Sequence, residues 1–327
     1  MEASVIARRQ FLATGAALAV AISPRAFAQE ADDKPFFGIY PIAWTPCTLD
    51  GKVDLAALAA QVKFCQRGQV AGLVWPQNAS AWATLSDQEW NDGVNALLSA
   101  AKGGATKIVI GVQTADSDTE KSVARARMAA ANGASGIISL PPENADPAQT
   151  ISYYKAIGAA TSLPLMMQAV GNVSVELVAE IFREIPTLKA IKDEAGNPLE
   201  RAAAILALTR GRLADFSGNG GQTMLTEMAL GFSGSCPYVG LADLHQQSFD
   251  LWQAGRHREA FDMIGRIAAF NSIPGANEYV LIARNVFAEN TILRKAAGAH
   301  ERIPLQDAQK RFIREALDRF LTPYLKA

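Results

Sequence analysis

The chain of 327 residues has few cysteines and almost no net charge. Its three cysteines, Cys47, Cys65 and Cys236, are too few for a disulfide framework, although one pair could form a bridge in an oxidising compartment. The formal net charge is −1, so the composition lacks the basic excess that is typical of nucleic-acid-binding proteins. Hydrophobic residues make up 49% of the chain, which fits a compact globular protein.

Signatures of metal and nucleotide sites are also missing. The three histidines, His245, His257 and His300, have no ligand spacing such as two histidines four residues apart, so we expect no metal site. The glycine-rich segment 218–221 lacks the G-x-G-x-x-G spacing of a dinucleotide site, and we interpret it as a tight turn into a helix. No histidine is placed to activate Cys236, which we interpret as a packing residue.

The first 28 residues have the pattern of an export signal. A twin-arginine pair with Phe and Leu occupies residues 8–12, a moderately apolar run follows at 13–22, and Ala26-Phe27-Ala28 forms a small-x-small cleavage site. The run is too short to span a bilayer, which argues against a membrane anchor. We therefore expect export by the twin-arginine route, cleavage after Ala28, and a periplasmic protein with no membrane attachment.

After the signal, short apolar runs alternate with alanine-rich helical stretches, and no linker divides them. The pattern predicts eight strands, at 37–44, 70–75, 107–112, 136–140, 163–169, 188–192, 213–217 and 234–238. It predicts intervening helices at 53–67, from 86, 118–132, 146–160, 174–185, 199–209 and 222–230. Such units in a row are typical of an α/β protein with a (β/α)₈ TIM barrel, here over residues 29–241. We expect 242–327 to form a C-terminal extension of about three helices packed on the barrel.

One predicted strand, residues 188–192, ends in a candidate for covalent chemistry. Ala190 and Lys192 alternate with Ile191 and so share one face of the strand. If that face is the barrel interior, burial favours a neutral amine, the form that attacks a ketone to give a Schiff base. The alternative is a lysine that only pairs with Asp193 or Glu194.

The chemistry of TIM barrels lies at the C-terminal ends of the strands. By this rule, the residues at the predicted strand ends lie around one mouth of the barrel. They are Thr45, residues 75–80, Gln113, residues 140–144, Gln168, Lys192, residues 217–220 and residues 236–240.

An ordered set of motifs surrounds this lysine. They are Gly38 with Thr45-Pro46, Ala83-Thr84-Leu85-Ser86-x-x-Glu89, Ile191-Lys192-Asp193, Ser217-Gly218-Asn219, and Gly231 with Gly234. From about Phe36 to its end, the chain resembles the dihydrodipicolinate synthase / N-acetylneuraminate lyase superfamily of class I, Schiff-base aldolases and dehydratases. The resemblance implies a TIM barrel, Lys192 as the Schiff-base residue, no cofactor, and a homo-oligomer, either a dimer or a tetramer.

The chain departs from the pattern of that family in three places. Residues 77–81 read Gln-Asn-Ala-Ser-Ala where the family has Gly-Thr-Thr-Gly-Glu, so we expect Asn78, Ala79 and Ser80 to hold the substrate carboxylate mainly through backbone amides. Gln168 replaces the relay tyrosine, and an amide does not titrate. Residues 140–142, Leu-Pro-Pro, replace Thr-Pro-Tyr. These changes argue against dihydrodipicolinate synthase activity itself.

Other aromatic and polar residues are candidates for the site. Tyr40 is a candidate acid/base residue in place of the missing tyrosine, and Tyr238 is a similar candidate. We expect Thr45, Trp75, Gln168 and Tyr238 to contact substrate, although Trp75 has the alternative of packing. Glu194 and Asp193 are expected to pair with Lys192 or with loop amides rather than to bind metal.

Two functions remain open. The first is a lyase, an aldolase or dehydratase, acting on a 2-oxo acid such as pyruvate or a 2-keto-3-deoxy acid. Residues 38–41, Gly-Ile-Tyr-Pro, resemble the branch of the family that acts on 2-keto-3-deoxy sugar acids. The second is a periplasmic keto-acid binding protein with the same fold and reduced catalysis, which the amide of Gln168 favours.

Overall fold

The computed structural model describes residues 34–294 and 305–325; the predicted signal peptide and His300 lie outside these ranges. Its strands are β1 (Gly38–Ile39), β2 (Pro46–Cys47), β3 (Gly72–Trp75), β4 (Lys107–Gly111), β5 (Gly136–Ser139), β6 (Leu165–Ala169), β7 (Leu188–Asp193), β8 (Ala214–Ser217), β9 (Gly234–Ser235) and β10 (Ile292–Leu293). Eight of them form a parallel sheet in the order β1-β9-β8-β7-β6-β5-β4-β3, and a parallel bridge from Ile42 to Val74 joins its two ends. The predicted TIM barrel is confirmed.

Helices cover the outside of this barrel. They are α1 (Leu55–Arg67), α2 (Asp87–Ala101), α3 (Thr119–Ala131), α4 (Pro147–Ala160), α5 (Val175–Glu184), α6 (Pro198–Thr209), α7 (Met224–Ala229), α8 (Ala242–Gln253), α9 (His257–Asn271), α10 (Ala276–Ala283) and α11 (Asp307–Ala316). Within the described ranges, no helix is both long and apolar enough to cross a membrane.

Local capping explains why five barrel helices begin where the sequence predicts. The side chains of Asp54, Ser86, Asp118, Asp146 and Ser174 each accept a hydrogen bond from the backbone N–H three residues further on. A cap of this kind satisfies one of the amide groups that the first helical turn leaves without a partner. These helix starts were predictable because each cap and its target are near neighbours in the chain.

The predicted first strand, 37–44, is shorter in the structure. β1 ends at Ile39, and Ile42 continues the pairing only as an isolated bridge. Pro41 has no N–H to donate to a neighbouring strand, although its carbonyl accepts from Val74 N.

Two apolar clusters lie on opposite sides of the barrel wall. The smaller one fills the interior and consists of Phe36, Tyr40, Ile42, Val74, Val109, Ile138, Met166, Ala190, Ala214, Phe216 and Cys236. The larger one lies between strands and helices and includes Ile191. Strand residues alternate between these clusters, so Ala190 faces the interior and Ile191 faces the helices.

The eighth barrel helix is α8. Gln246 of α8 accepts hydrogen bonds from Ile39 N (3.3 Å) and Ala71 N (3.2 Å), and Phe249 packs edge-on against Phe37 at 5.1 Å. The predicted boundary between barrel and extension, before residue 242, therefore assigns α8 to the extension although this helix packs on the barrel. The remaining three described helices, α9, α10 and α11, form the extension.

A buried ion pair joins α8 to the end of α10. Arg284 donates to both carboxylate oxygens of Asp243 at 2.8 Å and to the Gly240 carbonyl at 3.0 Å. The guanidinium also lies 4.5 Å from the ring centre of Phe64 on α1. Both charged side chains are almost completely buried, so the pair attaches the extension to the barrel through groups that water does not screen.

We expect Arg284→Met to lower the free energy of unfolding by about 3–5 kcal/mol, because the Asp243 carboxylate would remain buried without its cation. Urea unfolding followed by circular dichroism measures this loss. Arg256→Met, which removes the exposed partner of Glu259, is the control and should leave the urea midpoint unchanged. Equal midpoints for the two variants would contradict this role of Arg284.

Candidate active site

A cavity of about 280 Å³ opens at the C-terminal ends of the barrel strands. Its lining residues come from loops and strand ends that are far apart in the sequence. They are Ile42, Gln77, Asn78, Ala79, Lys192, Glu194, Asn219, Gly220, Gln222, Cys236 and Tyr238. The structure thus brings four of the predicted site residues together: Lys192, Asn78, Ala79 and Tyr238.

Lys192 lies near the end of β7 on the interior face of the barrel. It is in phase with Ala190, as predicted, and only 5% of the residue is exposed. Its Nζ lies 2.7 Å from Oε2 of Glu194. The amine is therefore buried, reachable from the cavity, and in direct contact with a carboxylate.

Glu194 follows Lys192 by two residues and points to the same side. Its Oε2 also accepts a hydrogen bond from Nε2 of Gln168, the side chain that precedes Ala169 at the end of β6. A Cβ at position 218 would lie 2.4 Å from the Glu194 side chain, so the glycine there leaves room for this carboxylate. Gln168 itself does not line the cavity; it contacts the site through Glu194.

Asp193 points in the opposite direction, out of the barrel. Both of its oxygens accept from Nε of Arg201, and Oδ1 also accepts from Ala195 N at 3.3 Å. The predicted pairing of Glu194 with Lys192 is confirmed. Asp193 accepts from a loop amide as predicted, but its ion pair is with Arg201, which the sequence did not predict. Sequence reasoning nevertheless missed Glu194 as a candidate catalytic group.

The turn at residues 78–80 contributes Asn78 and Ala79 to the cavity lining. Ser80 N and Ala81 N donate within the turn, to the carbonyls of Gln77 and Asn78. Asn78 and Ala79 begin the turn, so their amides have no acceptor inside it. These two amides are therefore free of partners within the turn.

Ser80 does not line the cavity, contrary to the expectation of substrate contact. Its hydroxyl donates to the Ala43 carbonyl at 2.6 Å and accepts from Gln77 N at 3.0 Å. The hydroxyl therefore holds the loop in place from below.

Thr45 and Trp75 also lie outside the cavity lining. Thr45 donates to the Ser80 carbonyl at 2.6 Å and accepts from the indole N–H of Trp75 at 2.9 Å. The Trp75 ring packs against Gly93 of α2, where a Cβ would lie 2.3 Å from the ring. Both residues support the loop, and packing is the correct interpretation of Trp75.

Tyr40 is packed below the site instead of beside Lys192. Its ring contacts Phe36 and Phe216 edge-on at 5.6 and 5.5 Å, within the interior cluster. Burial raises the pKa of Tyr40. It does not line the cavity, so the structure gives it no contact with a bound substrate there.

Tyr238 forms one wall of the cavity and stacks on Trp44, with ring centres 5.3 Å apart and planes within 5°. Burial raises the pKa of Tyr238, and the charges of Glu278 and Glu194 act in the same direction.

The cavity lining also includes Gln77, Asn219 and Gly220, which the strand-end rule placed around the mouth without a role, and Gln222, which sequence reasoning missed. The predicted turn at 218–221 is confirmed, since Gly220 and Gly221 have φ values of 63° and 76°. The motif Ser217-Gly218-Asn219 was the available signal for this part of the lining.

Cys236 is one of the residues that line the cavity. Burial raises the pKa of this thiol to about 12, so it stays protonated at neutral pH. All three cysteines are buried free thiols. Across 34–294 and 305–325, no three His, Cys, Asp or Glu residues are grouped to hold a metal ion.

The model of the dihydrodipicolinate synthetase family matches residues 35–309. The chain belongs to the dihydrodipicolinate synthetase family. The match spans the barrel, the cavity with Lys192, and most of the extension.

Similar proteins carry names from this family. The 4-hydroxy-tetrahydrodipicolinate synthase of Xanthomonas campestris is 28% identical over 277 residues, which cover 82% of this chain and 88% of that protein. The protein of the same name from Sorangium cellulosum is 31% identical over 208 residues, 61% of this chain and 67% of that protein.

Solved structures share the fold at lower identity. N-acetylneuraminate lyase from Mycoplasma synoviae has a TM-score of 0.75 at 16% identity, covering 88% of this chain and 99% of its own. A prophage protein of the dihydrodipicolinic acid synthase family from E. coli K12, in complex with pyruvate, also has a TM-score of 0.75 at 16% identity, covering 87% and 98%.

His245 of α8 lies beneath the turn that carries Asn219 and Gly220 in this family member. Its Nδ1 is 3.0 Å from the Leu241 carbonyl, and a Cβ on Gly221 would lie 2.9 Å from its Nε2. Burial lowers the pKa of His245 from 6.5 to about 4. The folded protein therefore holds this imidazole neutral under the glycine turn.

This burial predicts a loss of stability in acid. An unfolded chain takes up a proton at His245 below pH 6.5, whereas the folded chain does so only near pH 4. The contribution of neutral His245 to the free energy of unfolding is therefore fully present above pH 6.5 and is lost as the pH falls from 6.5 to 4. The difference corresponds to roughly 3 kcal/mol. In urea unfolding, the free energy of unfolding of wild type minus that of His245→Gln should therefore be smaller at pH 4 than at pH 7 by about this amount. A difference that stays constant with pH would contradict the prediction.

Proposed function

We propose that this protein is a Schiff-base-forming lyase, an aldolase or dehydratase, that acts on a 2-oxo acid such as pyruvate or a 2-keto-3-deoxy acid. One observation carries the proposal: the buried amine of Lys192 lies in a cavity at the barrel mouth, 2.7 Å from the Glu194 carboxylate. Members of the dihydrodipicolinate synthetase and N-acetylneuraminate lyase group are Schiff-base lyases, which supports the same chemistry here.

In this proposal, Lys192 attacks the keto carbon of the substrate and forms an imine. The amides of Asn78 and Ala79 hold the carboxylate next to that carbon. The protonated imine then accepts the electron pair released when a bond at the neighbouring carbon breaks, which allows aldol cleavage or dehydration. Tyr238, Asn219 and Gln222 offer hydrogen-bonding groups to the rest of the substrate.

We do not propose dihydrodipicolinate synthase activity itself. The relatives with that name are 27–31% identical to this chain over the matched residues. Gln168 stands where the resemblance places the relay tyrosine, and its amide is bound to Glu194. Proton transfer in this site must therefore follow a different path from the one that a tyrosine provides.

The second candidate function is a keto-acid binding protein with the same fold. The observation that favours it is the Gln168 amide, which cannot donate or take a proton during turnover. In that case Lys192 would serve only to bind the keto acid by hydrogen bonding, and no covalent adduct would form.

Borohydride reduction in the presence of pyruvate and a panel of 2-keto-3-deoxy acids separates the two functions. We expect a stable adduct, seen in the intact mass and mapped to Lys192, because reduction converts an imine to a permanent amine. Lys192→Ala should give no adduct. Lys189→Ala is the matched control, since this lysine lies on the same strand but is exposed, and it should be trapped like wild type. Binding of a keto acid without any adduct would favour the binding protein.

We also propose that the chain is exported by the twin-arginine route and acts in the periplasm as a homo-oligomer, a dimer or tetramer. The pattern at residues 8–28 supports export, and the assembly typical of the family supports the oligomer.

Expression of the full chain in a Gram-negative bacterium tests the export proposal. We expect periplasmic protein that begins at Gln29, and we expect Arg8→Lys with Arg9→Lys to retain the protein in the cytoplasm. N-terminal sequencing and cell fractionation measure both results, and light scattering of the mature protein measures its assembly. Equal export of the unchanged chain and of the variant with both arginines replaced would contradict the twin-arginine route.

A further inference from the structure

The proposed lyase needs a group that moves protons close to the imine. Imine formation and the later step at the neighbouring carbon each transfer protons, and a positioned acid/base group typically contributes a factor of about 10²–10⁴ to the rate. Besides Lys192, the titratable groups among the described lining residues are Glu194, Cys236 and Tyr238.

The Cys236 thiol and the Tyr238 hydroxyl are less suited to this role than the Glu194 carboxylate. The Cys236 thiol is buried, and its pKa is raised to about 12. The pKa of Tyr238 is also raised, and its ring is stacked on Trp44. Neither residue forms a hydrogen bond with Lys192.

Glu194 has the required geometry. Its Oε2 lies 2.7 Å from Nζ of Lys192, which is within the distance for direct proton transfer. The same oxygen accepts from Nε2 of Gln168, and Gly218 leaves room for the side chain. Its side chain is 27% exposed, so it reaches the cavity as well as the amine.

We propose that Glu194, positioned by Gln168, is the acid/base residue that carries protons between the Lys192 amine and the substrate. This inference rests on the proposed function. It assigns to Gln168 the role of a positioning residue, which orients a carboxylate and does not itself exchange protons.

The proton balance closes with these two groups alone. The Lys192 ammonium gives one proton to the Glu194 carboxylate, and the resulting amine forms a bond to the keto carbon. Glu194 then protonates the oxygen, takes a second proton from the nitrogen, and delivers it as the C–O bond breaks. One water leaves, the imine nitrogen keeps the third proton, and Glu194 returns to its carboxylate form.

The same carboxylate can then act at the neighbouring carbon. It takes a proton from C3 of the imine, and the C–H electron pair moves to form a C2=C3 double bond while the nitrogen becomes neutral. Return of a proton to C3 restores the imine. In D₂O this cycle replaces the methyl protons of pyruvate with deuterium, so it can be measured without knowing the natural substrate.

The test compares adduct formation with methyl exchange of pyruvate in D₂O, followed by ¹H NMR. Lys192→Ala gives the uncatalysed background. We expect Glu194→Gln to reach a borohydride-trapped adduct after long incubation, because its amide oxygen can still accept from Lys192 and Gln168, while exchange falls by about 10²–10⁴-fold. We expect Gln168→Leu still to form the adduct, but its rate of methyl exchange should fall about tenfold. This is the effect expected from the loss of one hydrogen bond to the charged Glu194 carboxylate.

The matched control is Glu184→Gln. Glu184 also forms an ion pair with a lysine, Lys155, but on the outer surface, so exchange should equal that of wild type. If wild type forms no adduct, the proposed function fails. If wild type forms the adduct and Glu194→Gln exchanges the methyl protons as fast as wild type, only the proposed role of Glu194 fails. A larger loss of exchange rate in Tyr238→Phe than in Glu194→Gln would also overturn the assignment of Glu194 as the acid/base residue.

Discussion

The alternation of side chains along β7 is the constraint on which the site depends. Lys192 and Glu194 point into the barrel, whereas Ile191 and Asp193 point toward the helices. A slip of one residue in the register of this strand would exchange the two sets. The pairing of Gln168 with Lys192 and of Ala169 with Asp193 across β6 and β7 holds that register.

The outer face of the same strand is also charged. Asp193 binds Arg201, and the buried Asp215 and Glu227 lie close enough for the charges to interact. Burial raises the pKa of Asp215 well above its usual range, and the neighbouring carboxylates add to this effect. The raised pKa favours the neutral form of Asp215, which carries less repulsion toward Asp193 and Glu227 than a carboxylate would.

Glycines let the loops approach one another at the mouth. Gly218 leaves space for Glu194, and Gly221 leaves space for His245. The carboxylate beside the amine and the turn that lines the cavity therefore both depend on positions without a Cβ. These contacts connect the segments that follow β7 and β8 with each other and with α8.

The sequence by itself determined the order of strands and helices, the inward direction of Lys192, and several helix starts. Each depends on neighbours within a few residues, through side-chain periodicity or a capping hydrogen bond. Tertiary structure alone decided which mouth residues reach the cavity. Ser80 bonds to Ala43, Thr45 bonds to Trp75, and Gln168 bonds to Glu194, and such pairs are set by how distant segments pack. A strand-end position predicts proximity to the mouth, but the partner of each polar group decides whether it binds substrate or supports the loop.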